Sequence, residues 1–186
     1  MKFESITKKE EGNFITRYDL KYETVDHKEK IYEIISRNKD LKSSKELSGL
    51  EPDAVVLIME DEKHEKILIN KEFRMAVNRW VYNFPAGLID PGEKPIESAR
   101  RELFEETGLE LVEVLDEIGP SYSAVGFSNE INVCIVGVAR GVFKDSTSTL
   151  EEIVPGWYTK EEVRQLLKTE PFAARTQAYA YLWSRE

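Results

Sequence analysis

Residues 87–111 read GLIDPGEKPIESARRELFEETGLEL. Pro95 suits the first turn of a helix and Gly108 the residue just past its end, so the spacing predicts a helix from about Pro95 to just before Gly108. Ile96, Ala99 and Leu103 recur at i, i+3 and i+7, the stripe that faces a core. The same helix holds Glu102, Glu105 and Glu106, three carboxylates within five positions, and residues three and four apart share one face. No lysine stands at that spacing to neutralise them. Each like-charged pair costs about 0.2–0.5 kcal/mol, and Glu105 and Glu106 also meet the negatively polarised end of the helix dipole. Two local rules are broken in one place, which is where function is expected. One reading is a solvated acidic face. The other is a cation site: carboxylate oxygens are the ligands Mg2+ or Mn2+ prefer, and the cation removes the repulsion.

Working outward, residues 13–37 alternate as two strands, NFITRYDLKYETV and KIYEIISR, about the polar turn DHKEK. The polar stretch NKDLKSSKELSGLEPD links this hairpin to a second strand pair, AVVLIM and KILINKEFR. NRWVYNFPAGLIDPGEK, punctuated by Pro and Gly, reads as an irregular loop. Beyond the helix, strands are expected at LVEVLDEI and INVCIVGVARGVF, then a loop, KDSTSTLEEIVPGW. Thr159 and Glu162 form a capping-box pattern before EEVRQLLK, and a further helix is expected from Pro171. Strands around one central helix, feeding a helical C-terminus, make the class α+β.

A chain of 186 residues, 41% hydrophobic and 33% charged, fits one ordinary globular domain. No apolar run approaches the ~18 residues of a membrane helix, and MKFESITKKEEGNF lacks the apolar centre of a signal peptide. Cys134, the single cysteine, falls in a strand and reads as a core filler in a reducing cytoplasm. A net charge of −9 argues against nucleic acid, whose binding rests on Lys and Arg. A phosphorylated small molecule remains compatible if a cation reverses the local field. His27 and His64 lie in polar turns without companions at zinc spacing.

The stretch resembles the Nudix box: Gly87, Glu93 after five residues, and after seven more Arg101-Glu102-Leu103-Phe104-Glu105-Glu106-Thr107-Gly108-Leu109. The resemblance implies a mixed sheet sandwiched between helices and hydrolysis of a nucleoside diphosphate linked to another group, with Mg2+ or Mn2+. It makes Glu102 and Glu106 the principal metal ligands, assisted by Glu105 and the Ala86 carbonyl. Arg101 would orient the carboxylates and Glu93 brace the loop. The catalytic base would come from the loop holding Glu151 and Glu152; both also read as solvated loop charges.

The flanking segments resemble the ADP-ribose pyrophosphatase subfamily, where FR precedes PAG much as in FRMAVNRWVYNFPAG. SYSAVGFSNE stands where that subfamily carries a Ser-Pro-Gly turn, which brings Gly126 and Phe127 into the expected substrate site. By position, Phe14 and Tyr32 match an aromatic pair that clamps adenine between protomers, and Arg37 and Arg74 match phosphate- and adenine-side arginines. Residues 1–40 would then be a dimerisation and substrate-binding sheet of one 186-residue hydrolase domain, in a homodimer. The same residues have plainer readings, as aromatics covering a hairpin and arginines in surface ion pairs worth little. Val125 replaces the proline of the turn, and Asn83 replaces an acidic residue before PAG. Alternative substrates are NADH or a dinucleoside polyphosphate, and the rival to an enzyme is an ADP-ribose-sensing module.

Overall fold

The computed structural model describes residues 1–144 and 151–185, which fall into two compact units, Met1–Asp53 with Pro120–Asn132 and Ala54–Gly119 with Val133–Glu186. The N-terminal unit thus extends past residue 40 and takes in a later segment.

Its sheet has three strands, not the two of the expected hairpin: β1 (Lys2–Glu11), β2 (Thr16–Glu23) and β3 (Glu29–Ser36), antiparallel in that order. Register shifts between Phe3 and Ser5 and between Lys8 and Glu10 explain why β1 escapes a period-two reading, since each bulge breaks the alternation. The buried face carries Tyr18, Leu20 and Ile34, closed by Leu41 and by Leu47 of a short helix, α1 (Ser44–Leu47), lying in the stretch expected to be a linker. Ser43 and Glu46 cap α1 reciprocally. The buried Tyr18 hydroxyl donates to the Asn38 carbonyl at 2.8 Å.

The larger unit is a sheet with helices on both faces. Its strands are β4 (Ala54–Glu60), β5 (Lys66–Arg74), β6 (Arg79–Asn83), β7 (Ala86–Leu88), β8 (Glu110–Tyr122), β9 (Ile131–Arg140) and β10 (Ile153–Thr159), with α2 (Pro95–Thr107), α3 (Lys160–Thr169) and α4 (Ala174–Trp183). The order is β10-β5-β4-β9-β8, with β6 also pairing β5 and β7 pairing β4. Strand β4 is continuously apolar because both faces are covered. Val55, Leu57 and Met59 pack with Ala99 and Leu103 of α2, whereas Val56 and Ile58 pack with Val163 of α3 and Ala180 and Trp183 of α4. Half-buried Cys134 fills space on the second side. This is the expected α+β sandwich with an N-terminal antiparallel sheet. Among the described residues no helix is long and apolar enough to cross a membrane.

Three boundaries differ from expectation. The segment read as an irregular loop contains β6 and β7, interrupted only at Phe84-Pro85. KDSTSTLEEIVPGW delivers β10, whose Pro155 is tolerated because β10 is an edge strand. The last helix starts at Ala174 and not at Pro171, because β6 holds the intervening chain: Tyr82 N–H donates to the Pro171 carbonyl, and Ala173 N–H to the Tyr82 carbonyl, both at 2.9 Å.

Candidate active site

Helix α2 runs as its caps dictate. The Glu97 carboxylate accepts the Lys94 N–H at 3.0 Å, and Gly108, at φ 76°, ends the helix in the left-handed conformation. Ala99 and Leu103 are fully buried, so the helix is fixed in rotation. That fixes the acidic face in three grades of burial: Glu106 is 7% exposed, the Glu102 side chain 14% and the Glu105 side chain 46%.

Asn70 Nδ2 donates to Glu106 Oε2 at 2.7 Å, and the Ala86 backbone also hydrogen-bonds this carboxylate. Even so, burial pushes the Glu106 carboxyl well up, aided by the charges of Glu72, Glu102 and Glu151. Burial likewise raises Glu102, against the opposing pull of Arg101. The Glu102 carboxylate fills the space a side chain at Gly87 would take: a Cβ there would lie 1.9 Å from Glu102 Cδ.

The face is less unneutralised than the lysine-free spacing suggests, because Arg101 does what no lysine is placed to do. Its guanidinium donates to Glu102 Oε1 at 2.6 Å, to both Glu93 oxygens at 3.1 and 2.8 Å, and to the Leu88 carbonyl at 2.9 Å. Arg101, then Ser98, hold the Glu93 carboxyl down at about 2. Loop and helix are thereby tied through one planar fork, which lysine cannot reproduce. Arg101→Lys is therefore expected to lower turnover about tenfold, the scale for residues that orient ligands. Kinetics at saturating Mg2+ check this, and wild-type turnover would remove the bracing role.

Glu151 and Glu152 are exposed and line a cleft of about 280 Å3 with Glu72, Phe73, Arg74 and Met75. Residues 145–150 of that expected loop lie outside the described residues. Arg74 Nη1 pairs with Glu72 Oε1 at 3.6 Å. In the N-terminal unit the Tyr32 hydroxyl donates to the Gly126 carbonyl, Ile35 N–H donates to the Phe127 carbonyl at 2.9 Å, and Arg37 Nε pairs with Glu130 at 2.5 Å. Tyr32, Arg37, Gly126 and Phe127 thus gather around β3. Phe14 does not join them: it precedes β2, whereas Tyr32 pairs with Leu20 within it, and the Phe14 side chain is 79% exposed.

Among the described residues, no three His, Cys, Asp or Glu side chains are drawn together closely enough to hold a metal as they stand. The donors nevertheless fit a hard divalent cation in kind. Glu106 is a buried and Glu102 a half-buried carboxylate, both with raised pKa values, a repulsion that a cation relieves, and Ala86-Gly87 brings backbone against both. Sequence reasoning missed Asn70, which meets Glu106, and Glu72, whose charge acts on it. The available signal was the pair of polar residues, two apart, in the apolar run of β5.

The NUDIX domain family matches residues 50–179. An ADP-ribose pyrophosphatase from Bacillus subtilis is 41% identical over 91 residues, covering 48% of this chain and 48% of that protein. Another, from Saccharomyces cerevisiae, is 39% identical over 83 residues, covering 45% of this chain and 35% of that protein. The chain therefore spans about half or less of these relatives' length. A crystal structure described as an ADP compounds hydrolase superposes with a TM-score of 0.73 at 17% identity, over 100% of this chain and 93% of that one, a likeness of fold. With the family match extending from β4 to α4 and enclosing the acidic helix and its bracing arginine, the chain belongs to the NUDIX domain family.

Proposed function

We propose that this chain is a divalent-cation-dependent pyrophosphohydrolase that cleaves ADP-ribose or a similar nucleoside diphosphate sugar into a nucleoside monophosphate and a sugar phosphate. The observation that carries the reading is the pair of buried Glu106 and half-buried Glu102, seated against Ala86-Gly87. Two adjacent carboxylates in a poorly hydrated site repel each other and the pyrophosphate alike, so the arrangement makes chemical sense around a cation. Glu102, Glu106 and the Ala86 carbonyl would hold Mg2+ or Mn2+, with Glu105 assisting from the rim. When bound, the cation would neutralise pyrophosphate charge and lower the pKa of a coordinated water.

The chain's own residues do the rest. Arg101 keeps Glu102 turned toward Gly87 and away from solvent. Glu151 or Glu152, exposed on the cleft beside Glu72, takes the proton of the attacking water. Arg74 offers positive charge on the same cleft to a phosphate oxygen. The relatives' names, ADP-ribose pyrophosphatases from two distant organisms, support the substrate class. Phe14 and Tyr32 supply ring faces for adenine, Arg37 a cation beside it, and Gly126 and Phe127 the turn that faces the sugar.

The test is hydrolysis of ADP-ribose, other sugar nucleotides, NADH and dinucleoside polyphosphates with Mg2+ or Mn2+. The expected result is AMP and ribose 5-phosphate from ADP-ribose, abolished by chelation. No hydrolysis of any substrate, with ADP-ribose still bound, would favour a sensing module.

The exposed Phe14 ring and the Tyr32 ring, 39% exposed, suit a site shared across a twofold homodimer, since each copy would serve its partner. Phe14→Ala and Tyr32→Ala are expected to raise KM for ADP-ribose with little change in kcat, because uniform binding is what they remove. Light scattering of the full-length protein should report a dimer. A monomer with an undiminished kcat/KM would overturn the shared site.

A further inference from the structure

Strand β5 enters the sheet with Ile67, Leu68 and Ile69 fully buried. Asn70 and Glu72 then interrupt it, two residues apart and so on one face. Asn70 is fully buried and meets Glu106 through Nδ2. Among the described residues, the Oδ1 of the same amide has no hydrogen-bond partner. Buried amide oxygens are seldom left so, and a hard cation or its water is the kind of partner that such an oxygen accepts.

Glu72 is the neighbour on that face, and it is 7% exposed. Its Oε1 accepts a hydrogen bond from Asn83 Nδ2 at 2.9 Å. Asn83 sits on β6 directly opposite Asn70. Its Oδ1 accepts the Thr176 hydroxyl at 2.8 Å, and that hydroxyl accepts the Phe84 N–H at 3.1 Å. Each link runs donor to acceptor, so the Asn83 amide is locked with its nitrogen toward Glu72. Three buried polar groups, the Asn83 amide, the Thr176 hydroxyl and the Phe84 N–H, thus orient one carboxylate. Such a network is costly unless complete, and it earns a unique geometry when it is.

An ion pair with Arg74 is the plainer explanation for Glu72, and it falls short. The Arg74 side chain is 56% exposed, and it approaches Oε1, the oxygen already used by Asn83. A partner of that exposure adds little, and Arg175 of α4, whose charge also acts on Glu72, does so less than Arg74. Glu72 also lines the cleft that holds Glu151 and Glu152.

We propose that Glu72 is a further carboxylate of the divalent-cation set, presented by Asn83 and Thr176 beside Glu106 and the Asn70 amide. The proposal rests on the cation-dependent reading of the site given above. It also accounts for Asn83 standing where an acidic residue would otherwise precede PAG: the acid is on the adjoining strand, and Asn83 holds it.

The experiment is titration of full-length protein with Mn2+, free ion being read by electron paramagnetic resonance, for wild type, Glu72→Gln and Glu106→Gln. Glutamine at 72 can still accept the Asn83 hydrogen bond, so the fold should survive, as circular dichroism and the metal-free melting midpoint will report. The expected result is at least a tenfold weaker Kd, or a site fewer, for Glu72→Gln, with partial recovery in Glu72→Asp. Wild-type binding by Glu72→Gln alongside weakened binding by Glu106→Gln would overturn the role of Glu72 and leave the hydrolase reading standing. Wild-type binding by both variants would overturn both.

Discussion

Glu106→Gln is expected to lower turnover at saturating Mg2+ at least about 100-fold, since residues that merely orient ligands already cost 10–100-fold. The same variant should melt higher than wild type when metal is absent. Charged Glu106 is buried with Glu102, Glu72 and Glu151 around it, and an uncompensated buried charge costs about 3–5 kcal/mol. Glutamine keeps an oxygen for Asn70 and forfeits at most an unmet N–H, about 1–3 kcal/mol. The difference favours the variant by about 2 kcal/mol, a rise of about 4–8 °C for a chain of this size. The sign also sets a pH dependence. A carboxyl whose folded pKa is raised above its ordinary 4.5 destabilises the fold as pH climbs from the unfolded value through the folded one. The advantage of glutamine should therefore be small near pH 4.5 and grow toward neutrality. Calorimetry in chelator across that range, with parallel turnover assays, checks both halves. Undiminished hydrolysis would remove Glu106 from the cation set, and a lower metal-free midpoint would mean that repulsion is not what dominates there.

The two halves of that prediction differ in how far the sequence reaches them. Ile96, Ala99 and Leu103, between Pro95 and Gly108, announce α2 and its buried side, because helical periodicity and caps are local properties. The acidic face follows from the same periodicity. What surrounds that face is non-local. Asn70 reaches Glu106 only because β5 lies beside α2, and Asn83 reaches Glu72 only through the β5–β6 register and Thr176 of α4. Nothing within a few residues of any of these positions indicates the pairing. The same limit hid β6, β7 and β10, where Pro85 between the first two, Gly87, Pro155 and Gly156 resemble loop punctuation. There the tertiary setting, an edge or a close approach by a carboxylate, decides how such residues are used. The bulged β1 was hidden for a different reason, since its alternation is broken within the strand itself.

Gly87 offers the sharpest test of how tightly the site is built. Gly87→Ala is expected to lower turnover about 100-fold and to weaken Mn2+ binding in step, on the scale of losing a ligand's orientation. Backbone strain is not the cause: the glycines with positive φ among the described residues are Gly92, Gly108 and Gly141, so alanine can adopt the conformation at 87. Contact is the cause. The added methyl would sit 1.9 Å from Glu102 Cδ and 2.2 Å from each of its oxygens, closer than unbonded atoms can approach. The obstacle is the far end of a flexible side chain, so Glu102 yields rather than the strand. It swings toward solvent, where a carboxylate is readily hydrated, and it parts from the Arg101 guanidinium now 2.6 Å away. Stability should change by less than about 1 kcal/mol, as for a surface rearrangement, while the cation loses a ligand. Glu102→Gln removes the same ligand by chemistry instead of by displacement. The two losses should therefore not add: the double variant Gly87→Ala/Glu102→Gln is expected to turn over about as slowly as either alone, as for residues acting through one contact. Multiplying losses would show that alanine at 87 harms the site by some route other than Glu102.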